Sequence, residues 1–258
     1  MTIREYARPE TAEEAWQLCQ KRQNVVMAGN MWLRMQRRAV GTAIDLSGLG
    51  LDFVRERDGG FELGAMATLR ELETHPGLEA AYAGAFARAL SPIVGVQFRH
   101  TATVGGSVFA RFGFSDVATL LLALDARVRL YKGGEMPLEA FQRAPFARDI
   151  LLSVFVPGGA QGVGYHAMRR SATDFPVLTV AAAQTPGGLR VAVGARPARA
   201  QLLCAQEREW SDARRAELLR GMIFGSNMRA TADYRRAIAD VLVRRAVRDA
   251  MEGKQDAD

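Results

Sequence analysis

Two short loops carry the residue types best suited to chemistry in this chain. The first is Thr103-Val104-Gly105-Gly106-Ser107, with the carboxylate of Asp116 nine residues further on. Adjacent glycines let a backbone approach a bulky anion, because no Cβ intervenes and φ is free to turn positive. Successive amides at such a turn can form an anion-binding concavity. Asp116, which offers only acceptors when ionised, suits a ribose hydroxyl. It also stands where a helix begins and can cap it. The second loop, Ala28-Gly29-Asn30-Met31-Trp32, follows the buried-looking strand 24–27. Asparagine is among the residues that tolerate the left-handed region, so Asn30 is compatible with a tight turn. Two such loops in one chain point to a dinucleotide held by main-chain groups.

No side-chain general acid or base is implied, and no catalytic residue is assigned. Cys19 and Cys204 lie far apart with no histidine near either. Metal and iron–sulfur ligation need clustered ligands, so no metal site is expected and both cysteines read as packed thiols. His75 and His100 show no partner pattern, and Trp32 reads equally as a cover for a bound ring or as core.

These loops need a scaffold. The chain has 258 residues, 48% apolar and 24% charged, enough for two or three small domains. No apolar run approaches the ~18 to 20 residues of a spanning helix, and the N-terminus lacks an apolar signal region, so membrane insertion is not expected and a cytoplasmic location is. The net charge of +6 is carried almost wholly by arginine, concentrated at Arg235-Arg236 and Arg244-Arg245. Nucleic-acid binding would want aromatics interleaved with such a patch, and only Tyr234 is there. A solvated or subunit-facing helix surface is the better reading.

Thr11 with Glu14 marks a capped first helix, followed by strands at 24–27 and 43–46. Helices are expected over 68–75 and 78–90, another starts near Ser115 or Asp116, and strands cover 126–131 and 149–156. Pro157-Gly158-Gly159 reads as a linker. Strands at 164–170, 177–184 and 189–195 form a three-stranded antiparallel meander, and helices over 211–222 and 231–251 complete the chain. The expected division is 1–55, 56–158 and 159–258.

The order of motifs resembles a known family. Tyr6-x-Arg8-Pro9 is followed by Ala28-Gly29, Ile44-Asp45-Leu46 and Leu63-Gly64-Ala65-Met66-Ala67-Thr68. Arg99-x-x-Ala102-Thr103-Val104-Gly105-Gly106-Ser107 comes next, then Asp116 with the run 120–125, Tyr165 with Arg170 and Asp174, and finally Tyr234-Arg235-Arg236 and the run 241–245. The set is similar, nearly end to end, to the FAD-binding (medium) subunits of the molybdenum hydroxylases, the group of xanthine dehydrogenase and aerobic carbon monoxide dehydrogenase. Departures are Asn30 for a common glycine, Ser107 for a common asparagine, Trp32 at an often small or polar position, and a shorter C-terminal third.

The resemblance implies an α+β chain. Its two-subdomain FAD-binding fold, of the PCMH type, would be followed by the three-stranded antiparallel sheet with helices. FAD would be bound by Ala28, Gly29, Asn30, Met31 and Trp32 and by Thr103, Val104, Gly105, Gly106 and Ser107. Asp116 falls on the family's acidic position, and Leu151 on a residue near the flavin ring. A basic residue near Tyr165 contacts FAD in some members: His166 is a candidate, with Arg169 and Arg170 as alternatives. Molybdopterin and iron–sulfur clusters would sit only in partner subunits, and electrons would pass from those clusters to FAD and on to NAD+ or another acceptor. The competing readings are a flavin-free assembly or interaction subunit, a stand-alone FAD-linked oxidase, and a protein that binds nucleic acid or an acidic partner.

Overall fold

The computed structural model describes residues 1–253. Three sheets follow one another along the chain. The first is parallel, with β3 (Ala39–Asp45) between β1 (Thr2–Ala7) and β2 (Val25–Met27). Helix α1 (Ala12–Cys19) packs Ala15 and Cys19 beneath it. Thr11 caps α1 by accepting from the Glu14 amide, as expected, while the Glu14 carboxylate reaches back to the amide of Glu10 rather than Thr11.

The second sheet is antiparallel. Its strands are β4 (Val54–Arg57), β5 (Gly60–Gly64), β6 (Arg127–Leu130), β7 (Gly134–Pro137) and β8 (Leu151–Pro157), in the order β4-β5-β8-β6-β7. Between β5 and β6 lie short helices: α2 (Leu69–Thr74), α3 (Pro76–Ala81), α4 (Ala85–Leu90), α5 (Val96–Arg99), α6 (Val104–Phe109) and α7 (Asp116–Ala123), and α8 (Leu138–Arg143) follows β7. The single helix expected over 78–90 is broken, because Ala83 and Gly84 both turn to positive φ (49° and 72°). Every residue of α7 is buried. A helix apolar on all sides needs cover on all sides, and α7 has it, lying against α4 and α6 and against the third sheet.

The third sheet corrects the three-stranded expectation. It has four antiparallel strands, β9 (Gly162–Met168), β10 (Leu178–Thr185), β11 (Gly188–Gly194) and β12 (Gln201–Glu207). A register shift where β11 meets β12 breaks the period-two alternation, which hides β12 from pattern reading. One face of this sheet continues the core of the second sheet. The other is covered by α9 (Asp212–Arg220) and α10 (Ala232–Glu252). Gly162 and Gly164 permit α10 to lie close: a Cβ on Gly164 would stand 2.1 Å from the Ala246 carbonyl oxygen.

The arginine-rich tail is not uniformly solvated. Arg235 is fully buried, its guanidinium donating to the carbonyls of Val177, Gly225 and Ala230 and to Asn227 Oδ1. Among the described residues, no helix is long and apolar enough to cross a membrane.

Candidate functional site

The first sheet ends where the first loop begins. Residues 28–32 leave the carboxyl end of β2, beside Leu46 at the carboxyl end of β3, the edge where open α/β sheets collect ligands. There they line a cleft of about 300 Å³ with residues of the second loop, Leu151 at the start of β8, and the segment 173–176. Ala28, Gly29, Asn30, Met31, Trp32, Thr103, Gly105, Gly106, Ser107, Asp116 and Leu151 all face it.

Gly29 brings the two loops together. A Cβ there would fall 1.8 Å from the Thr101 carbonyl oxygen, so only glycine fits this approach. Asn30 follows at φ 56°, and its side-chain Oδ1 is buried without a partner. The amides of Gly29 through Trp32 are matched to no acceptor within the described protein. A turn presenting unspent amides beside a left-handed residue is a concavity for anionic oxygens.

The second loop is built differently from the expectation, which gave its amides to the ligand. They are already used. Val104 and Gly105 donate to the carbonyls of Ala67 and Ala65 (2.9 and 2.8 Å), Gly106 donates to Thr103 Oγ1 (3.1 Å), and Ser107 donates to the Thr103 carbonyl (3.1 Å). The Ser107 hydroxyl also donates to that carbonyl. Thr103 is the N-cap of α6, and the glycines are ordinary first-turn residues of that helix. Val104 turns its side chain wholly into the core and does not line the cleft. What this segment supplies is shape. A Cβ on Gly106 would meet nothing closer than Thr103 Oγ1 at 3.4 Å and the Ala28 Cβ at 4.0 Å, leaving a slot between the loops.

Asp116 sits at the start of α7 with its carboxylate buried. Tyr165 and Arg169 both donate to its Oδ1. Burial pushes the Asp116 carboxyl above its ordinary value, against the pull of Arg169, and pushes the Tyr165 phenol well up. Arg169 also donates to the Asp174 carbonyl (2.6 Å), while its Nε stays buried without a partner. Of the three basic candidates, then, the structure brings Arg169 to the cleft. His166 is taken elsewhere: strand alternation turns it from Tyr165 towards α10, where it lies 2.7 Å from Asp249 Oδ2. Arg170 is exposed and lies outside the cleft.

Pattern reading missed an aromatic wall. Trp32 packs against Phe175, Phe114 and Phe98 with ring centroids 5.1, 5.6 and 5.8 Å away, and Phe112 stacks on Phe114 at 5.0 Å. All of these rings line the cleft. The spacing Phe112-x-Phe114, two residues before Asp116, is the available signal.

Residues 2–159 match the family described as the FAD binding domain in molybdopterin dehydrogenase. The chain belongs to this family. Across its full length it is also similar to the uncharacterized protein YgfM of Escherichia coli, with 28% identity over 99% of both chains. In fold it is similar to a chain of the carbon monoxide dehydrogenase of Hydrogenophaga pseudoflava (TM-score 0.84, 22% identity, 96% of this chain and 97% of that one). A chain of quinoline 2-oxidoreductase from Pseudomonas putida gives TM-score 0.83 at 18% identity, with the same coverage. The cofactor of this FAD-binding domain is FAD, and the cleft fits it. The unspent amides of Gly29–Trp32 and the orphaned Asn30 Oδ1 suit a diphosphate and its ribose or ribityl hydroxyls, the bare Gly106 keeps the second loop free of a side chain where it lines the cleft beside Ala28, and Leu151 and the aromatic wall suit a flat ring system.

Proposed function

We propose that this chain is the flavin-carrying subunit of a heteromeric molybdenum hydroxylase, receiving electrons from iron–sulfur clusters of one partner subunit while a molybdopterin-bearing partner oxidises the organic substrate. The observation that carries the proposal is the run of unspent amides at Gly29–Trp32, in a loop that lines the same cleft as Gly106, Arg169 and the aromatic wall. Bound FAD supplies the redox chemistry, taking electrons singly and releasing them as a pair to NAD+ or another acceptor. The protein's part is to hold and orient. The first loop anchors the diphosphate, Gly106 leaves room for it, and Arg169, fixed by Asp116, presents a cation at the wall. Trp32, Phe98, Phe114 and Phe175 keep water from one side of the cleft. The division 1–55, 56–158 and 159–258 follows the order of the three sheets, save that β4 of the second sheet begins at Val54, two residues ahead of the first boundary, and residues of all three units line the cleft.

The test is direct. Purified protein should carry FAD, or take it up in a 1:1 ratio, and the native complex should co-purify with molybdenum and iron. A chain that stays colourless with saturating FAD would refute flavin binding. A flavin-loaded chain that travels alone from its natural source would refute the heteromeric assignment. Anaerobic addition of NADH then separates acceptors: bleaching of the flavin bands supports NAD+, and its absence points to another acceptor.

A further inference from the structure

A second cavity, of about 310 Å³, lies behind the aromatic wall and shares Phe114, Phe175 and Pro176 with the FAD cleft. Its other walls include Pro197, Arg199 and Arg229. Arg229 holds its guanidinium 4.6 Å from the Phe175 ring centroid, and its nearest carboxylate, Asp174, is a loose 3.9 Å away. The Arg229 Nε is buried without an acceptor. Arg199 uses one nitrogen on the Gln142 carbonyl at 2.6 Å and is otherwise exposed. Arg196 and Arg235 stand close by and bond only carbonyl or amide oxygens, so neither finds a neutralising carboxylate. Among the described residues, Asp174 is the carboxylate paired with Arg229, and the remaining guanidinium groups nearby are held by carbonyl and amide oxygens.

Such a pocket has a cationic end and flat apolar walls. Guanidinium matches the planar, two-oxygen face of an oxyanion, and Phe and Pro surfaces accept a flat apolar body. We propose that this cavity binds a small organic anion, a ring bearing a carboxylate or a phosphate, with its oxyanion on Arg199 and Arg229 and its ring between Phe175 and Pro197. The site is separate from the FAD cleft and does not depend on how electrons reach or leave the flavin.

Benzoate and phenyl phosphate serve as probes, titrated by calorimetry into the FAD-loaded protein, where the cleft is filled. Saturable 1:1 binding of either supports the site, and the better probe identifies the head group. Arg199→Gln, at an exposed position, should weaken binding at least tenfold, since a hydrogen bond to a charged group is lost. Arg229→Gln should do the same, with Arg229→Lys weakened less than Arg229→Gln. Arg199→Gln should leave FAD content and the melting temperature of the loaded protein nearly unchanged. Binding unaffected in Arg199→Gln and Arg229→Gln, binding seen only before FAD is loaded, or no saturable binding of either probe would each overturn the proposal.

Discussion

Two glycines in the same cleft should respond oppositely to one added methyl group. At Gly29 the new Cβ would lie 1.8 Å from the Thr101 carbonyl oxygen and 3.0 Å from the Ala102 Cα. Both obstacles are backbone, so no side chain can rotate away. Gly29→Ala must part the two loops, at about 3 kcal/mol, the upper end of ordinary overpacking. At Gly106 the methyl would meet ordinary contacts of 3.4 and 4.0 Å, and the residue lies inside α6. Alanine is favoured over glycine in a helix by ~0.5–1 kcal/mol, so unliganded Gly106→Ala should be as stable as the parent or slightly more so. The methyl nevertheless fills the slot between the loops. If FAD threads that slot, the cost moves to binding, at ~1–3 kcal/mol of overpacking, or roughly five- to 150-fold in Kd. Urea melts of the unliganded proteins and calorimetric FAD titrations measure the two halves. Gly106→Ala protein that binds FAD like the parent would refute the placement of the cofactor between the loops. Gly29→Ala protein as stable as the parent would refute the loop contact.

Arg169→Met should destabilise the protein by ~3–5 kcal/mol, because Asp116 is left as a buried charge without its cation. Burial already raises the folded-state pKa of Asp116, so its protonation should relieve the defect: urea melts should show a smaller loss at pH 5 than at pH 8. Glu73→Gln should cost a similar ~3–5 kcal/mol at neutral pH, since Arg99 is buried against Glu73 at 2.6 and 3.1 Å just ahead of the second loop. A change below ~1 kcal/mol in denaturant unfolding would show that the pair is not the anchor of α5. Hydrogen bonds from Lys132 and Tyr131 hold the exposed Glu13 carboxyl down at about 2, from an ordinary 4.5. Its contribution is therefore complete above pH 4.5 and lost as pH falls towards 2, so melting temperatures of the parent and Glu13→Gln should converge across that window.

Glycine in a sequence marks a place where a Cβ is unwelcome, but not what stands in its way. That limit separates what was legible here from what was not. The two loops and their shared cleft could be read because Gly29, Gly105 and Gly106 are spaced for close backbone approach. The roles of the loops could not, because the partners of the second loop's amides, the carbonyls of Ala65 and Ala67, lie some forty residues earlier and reach it only through tertiary folding. Thr103-Val104-Gly105-Gly106 reads equally as an anion-binding turn or as a capped helix start, and the N-cap bond to Gly106 makes it the latter. A similar logic governs the basic residue. With Tyr165 bonded to Asp116, the period of two along β9 places Tyr165, Ala167 and the position of Arg169 on one side and His166 and Met168 on the other. The packing agrees, with Ala167 on the core shared with the second sheet and Met168 on the core beneath α10. One long-range hydrogen bond thus decides among three candidates that local spacing leaves equal, and the ion pair of Arg169 with the same Asp116 carboxylate completes the choice at the cleft.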